Sequence, residues 1–130
     1  MKRMISTLVV LAFCSQAHAA CTEDRRAELG DAVSEMENVA GRMESYVVEA
    51  EKMHSKNDEP STILPVLERF MTTLESEFND NKNVYNSLDM QYDCSELESR
   101  VHAIYERMTN ASVGYAELKF KLQNALKNKN

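Results

Sequence analysis

The chain predicts an all-α fold: an up-down-up antiparallel three-helix bundle stapled by one disulfide, behind a cleaved signal peptide. Three observations carry that expectation. Apolar residues recur in steps of three and four over three stretches, each of roughly 30 residues. Only 3 glycines and 2 prolines interrupt the 130 residues, and both prolines fall near one predicted helix start. Cys21 and Cys94 each stand just before a predicted helix N-cap.

Residues 1–19 read as a secretory signal peptide. Lys2 and Arg3 form a basic n-region, Ile5 to Phe13 an apolar h-region, and Ala17-His18-Ala19 sets small residues at −3 and −1 for cleavage after Ala19 or Ala20. The apolar run is too short to span a bilayer, so no membrane insertion follows cleavage. The expected product is a single helical domain, 20–130, in the periplasm, where thiols oxidise. Cys14 leaves with the signal, and Cys21–Cys94 is the pairing that remains. Lipidation of Cys21 is the rival, because Ala19-Ala20-Cys21 ends like a lipobox; that motif wants an aliphatic residue where His18 stands.

Helix 1 is expected over about 22–54. Its seam is Leu29, Val33, Met36, Ala40, Met43, Val47, Ala50 and His54, widened by Ala32, Val39, Tyr46 and Met53. Thr22 is the predicted N-cap, with Glu23 and Asp24 in the first turn, where the helix dipole favours them. A polar turn from Ser55 to Ser61 follows. Helix 2, about 61–89, takes Ser61 as its cap and tolerates Pro65 as a first-turn residue. Leu64, Leu67, Met71, Leu74, Phe78, Asn81, Tyr85, Leu88 and Tyr92 line its seam, with Ile63, Phe70 and Val84 beside it. Helix 3, about 95–127, opens on the capping-box pattern Ser95-x-x-Glu98. Its seam is Leu97, Val101, Ile104, Met108, Ala111, Tyr115, Leu118, Leu122 and Ala125, and the lysine- and asparagine-rich tail should fray. Short turns make neighbours antiparallel, so helices 1 and 3 start at the same end, where the two cysteines then meet.

No catalytic site is expected. The mature chain keeps two histidines, His54 and His102, which the cysteine register sets roughly 35 Å apart along the bundle. No glycine-rich elbow or oxyanion loop is visible. Glu51-x-x-His54 is half of a carboxylate di-iron pattern without its second copy, and Glu98 with His102 is at most a weak chelating pair. Methionines at seam spacing read as core filler, so no cofactor and no metal is assigned.

Charge points to a partner class. Loss of Lys2 and Arg3 takes the 15 basic residues to 13 against 21 acidic ones, and the net charge from −6 to −8. Such a chain is repelled by nucleic acid and by anionic lipid, and attracts a basic protein. Glu37, Glu44 and Glu51 share one heptad position beside the helix 1 seam and are the expected partner-binding carboxylates. The competing reading is a solvated edge neutralised within the fold, with the lysines from Lys119 onward packed near Glu44 and Glu51. Asn81 interrupts a seam, either as a register-fixing amide or where helix 2 meets water. Val113 and Phe120 lie off the helix 3 stripe and would mark a homodimer or partner patch.

The expectation is therefore an exported protein–protein binding module and not an enzyme. Its most concrete form is an immunity- or inhibitor-type protein that blocks a cationic toxic enzyme, such as a cell-wall-degrading peptidoglycan hydrolase. The alternatives are a holdase-like or structural envelope protein, and a small metal- or haem-binding carrier.

Overall fold

A computed structural model of the chain describes residues 19–90 and 92–129. Apart from Ala19, the segment read as a signal peptide lies outside the described residues, as does the Tyr92 side chain assigned to the helix 2 seam. Three long helices make up the fold: α1 (Glu23–Ser55), α2 (Pro60–Asp89) and α3 (Glu98–Lys129). A 3-10 turn, Ser95–Leu97, precedes α3. Two short strands, β1 (Ala19–Ala20) and β2 (Tyr92–Asp93), pair in parallel with Ala19 opposite Tyr92 and Ala20 opposite Asp93.

Local chemistry explains the helix ends. Thr22 is extended and its Oγ1 accepts the Arg25 N–H at 3.3 Å, satisfying one of the donors that a helix start leaves open. At the other end of α1, Asn57 takes a left-handed conformation (φ 63°). Its N–H reaches the His54 carbonyl at 3.1 Å, and the Asp58 N–H reaches that of Met53 at 3.0 Å. These two bonds form a Schellman cap, with asparagine at the position usually given to glycine.

Two expected caps are corrected. Glu59, not Ser61, is the N-cap residue of α2, and Pro60 opens the helix at its first position, where the missing N–H costs nothing. Thr62 and Ile63 both donate to the Glu59 carbonyl, so Pro65 lies beyond the first turn and inside the helix. Ser95 does not head a capping box either. It sits within the 3-10 turn, whose N-cap is Cys94 without a side-chain cap bond. The bridge holds Cys94 against the start of α1, and the chain turns tightly before α-geometry begins.

Side-chain pairs fix the helix directions. Tyr46 stacks on Phe70 (ring centroids 4.5 Å apart) and Arg42 pairs with Glu77, so α1 and α2 are antiparallel. Phe78 meets Tyr105 edge-on and Glu68 pairs with Lys119, so α2 and α3 are antiparallel too. Glu37 with Arg100 and Glu44 with Arg107 show α1 and α3 running the same way. Cys21 and Cys94 are joined, with Cα atoms 5.0 Å apart across 73 residues of sequence.

Both apolar rows of α1 are used. Leu29, Val33, Met36, Ala40, Met43, Val47 and Ala50 are buried, as are Ala32 and Val39, because α1 touches both other helices. Ile63, Leu67, Met71, Leu74, Phe78 and Tyr85 enter the core from α2, and Val101, Ile104, Ala111, Leu118 and Leu122 from α3. Among the described residues no polar or charged side chain is buried. Asn81 is half-buried, and its amide donates to the Glu77 carbonyl of its own helix at 2.9 Å. Three expected core residues stand on the surface: Met53, Phe70 and Val84. No third helix covers the outer edge of the α1–α2 pair, so apolar positions on that edge meet water.

Candidate functional site

The carboxylates of α1 are only partly available. Glu37 Oε2 accepts from Arg100 Nε at 3.0 Å, and Arg100 also reaches Ser34 Oγ. Glu44 Oε1 takes both Nε and Nη2 of Arg107, at 2.8 and 2.6 Å. Glu51 is exposed and has no ion-pair partner among the described residues. The structure thus keeps the three on one edge facing α3, but two of them hold that helix. These pairs are well exposed, and such pairs contribute about 0–1 kcal/mol each, so an incoming cation can exchange with them.

The expected neutralising lysines lie elsewhere. Lys119 pairs with Glu68 of α2 at 3.3 Å, and Lys129 with Glu59 at 2.5 Å, which extends α3 where fraying was expected. The reason is register. Gly114 lies against Val47, since a Cβ there would be 3.5 Å from Val47 Cγ1, and this sets Arg100 and Arg107 beside the acidic edge. Lys119 lies on the side of α3 turned to α2, and Lys129 reaches the α1–α2 turn at Glu59. With Gly114 level with Val47, His102 falls level with about residue 35 of α1, so the histidines are roughly 28 Å apart along the bundle instead of 35 Å.

Each histidine lines a separate depression, His54 beside Asp58 and Pro60, His102 beside Tyr105 and Thr109. His102 faces Glu106 at 3.7 Å and not Glu98. Among the described residues no three His, Cys, Asp or Glu side chains converge as a metal site would require.

Sequence reasoning missed one apolar concavity. An apolar groove of about 270 Å³ runs between α1 and α2 on the side away from α3. Its floor is Ala50, Ile63 and Leu67, all buried. The Tyr46–Phe70 stack closes one end, Met53 and Val66 form the walls, and Glu49 and Thr62 add polar side chains to the lining. Val66 is 52% exposed, Met53 40% and Phe70 38%. The signal lay in the sequence as excess: the apolar arcs of both helices are wider than two neighbours can cover. Assigning that excess to the core assumed a helix on the third side.

Among the described residues, no helix is long and apolar enough to cross a membrane. Compared with known proteins, the chain matches no family model, no curated protein and no solved structure.

Proposed function

We propose that the chain is an exported protein–protein binding module without catalysis, acting on a cationic partner. Its most concrete form is an immunity- or inhibitor-type protein that occludes a basic toxic enzyme such as a peptidoglycan hydrolase. The observation that carries this reading is the pairing of an acidic α1 edge with an unfilled apolar groove on the same helix. Charge on such a helix speeds capture, and a groove of this kind gives the captured protein somewhere to anchor. Export is supported by the sequence pattern of residues 1–19 and by the bridge, which uses the Cys21 sulfur that lipidation would need. A holdase would need a broad continuous apolar surface. Outside the α1–α2 groove, the exposed apolar residues Val48, Val84, Met90, Val113 and Phe120 are instead spread over all three helices.

Affinity capture from periplasmic extract tests the proposal. The expected result is one basic protein, retained at low salt, released by high salt and held less well by Glu51→Lys. Recovery of no stable partner at low salt overturns the proposal, as does a partner indifferent to both salt and E51K.

A further inference from the structure

Size, composition and charge together specify what the α1–α2 groove accepts. At about 270 Å³ it lies just under the range of pockets that enclose drug-sized ligands, roughly 300–1,000 Å³, and suits one or two side chains. Tyr46 and Met53 bracket it on α1 seven residues apart, about 10 Å, or two helical turns. Past Tyr46 the Arg42–Glu77 ion pair crosses between the helices. The occupant is therefore a short segment presenting apolar anchors three or four residues apart, as a helix laid in a groove does.

Its polar face is set by Glu49. That carboxylate is the one charged group lining the groove, and its link to Lys52 is an exposed pair within the helix, at 3.3 Å, easily exchanged. No lysine or arginine lines the groove. The net charge outside residues 1–19 is −8, so the long-range field also favours a cation.

We propose that this groove binds an amphipathic, basic helical segment of a partner protein, with one or two apolar anchors against Ala50, Ile63 and Leu67 and a lysine or arginine on Glu49. The assignment deepens the binding-module reading and rests on it. It moves the principal contact from the α3-facing edge to the opposite side of α1.

The test uses the full chain and a peptide of about three helical turns, with leucine on one face and lysine on the other. A counterpart with glutamate in place of lysine is the control, and fluorescence anisotropy is the readout. Val66→Asp replaces an apolar wall of the groove with a hydrated carboxylate, so simple charge attraction predicts tighter binding and groove docking predicts weaker binding. Val113→Asp makes the same charge change on the outer face of α3, where Val113 is equally exposed at 53%. Expected are a loss of about tenfold for V66D, about threefold for E49Q, and no change for V113D. Circular dichroism confirms that each variant is folded.

Equal binding by V66D and V113D overturns the proposal, as does binding of the glutamate peptide, failure of both peptides, or concentration-dependent self-association abolished by V66D. Peptide binding that ignores V66D, alongside envelope capture of a salt-released basic protein, sinks the groove and spares the wider reading. Groove-dependent peptide binding with no captured partner does the reverse.

Discussion

Removing the Cys21–Cys94 bridge is the perturbation with the largest calculable effect. The crosslink spans 73 residues and encloses α1, α2 and the turn between them. Opening a loop of that length returns about 4 kcal/mol of conformational entropy to the unfolded chain. For the 111 residues expected after cleavage, an unfolding entropy near 2.1 cal/mol/K per residue gives roughly 0.23 kcal/mol/K, so Tm should fall by about 17 °C. The C21A/C94A variant, melted by far-UV circular dichroism beside the oxidised protein, reads the difference. Cys94 is 2% exposed, so its alanine also leaves a small void; the reduced wild-type protein supplies the comparison without one. The reasoning fails if oxidised and reduced wild type melt within about 5 °C of each other, because the bridge must then be absent or the unfolded chain already held compact without it. Peptide mapping under non-reducing conditions separates those outcomes.

Two further expectations follow from single residues. Pro65 lies inside α2, where its ring removes the N–H that would reach the carbonyl of residue 61, so P65A should stabilise by about 2 kcal/mol after allowing for the looser unfolded chain. A denaturation midpoint that is unchanged or lower would show instead that the packing of α2 needs the break. Burial, followed by the negative charges of Asp89 and Glu98, pushes the Tyr85 phenol up from 10.0 to about 12. A folded-state value above the unfolded one means its stabilisation is complete below pH 10 and is lost as pH rises towards 12. Alkaline denaturation should therefore steepen in that window and flatten in Y85F; identical profiles would contradict the assignment.

Much of the fold could be read from residue spacing. The seam from Leu29 to Ala50 is buried position by position, as are Leu67, Met71, Leu74, Phe78 and Tyr85 in α2. Spacing reports local periodicity, and a helix with a regular apolar stripe buries it whatever its partners are. Caps were harder. Thr22 has no local rival for its role, whereas Ser61 lost to a proline one residue earlier, and Asn57 formed a cap that the turn's composition did not announce. The candidate site was least legible. Met53 and Phe70 look like core residues in isolation, and only the position of α3 leaves them facing water.

The amino-acid sequence alone determined three amphipathic helices and the acidic character of α1, because periodicity and charge are properties of each segment by itself. A shared end for the two cysteines followed from short connections. Tertiary structure decided which apolar edge stays uncovered and which carboxylates are occupied. Three helices have more apolar arc than their mutual contacts can bury, and the direction of the surplus depends on where the third helix packs. The axial register of α3 against α1, with Gly114 against Val47, gave Glu37 and Glu44 to arginines and left Glu51 exposed.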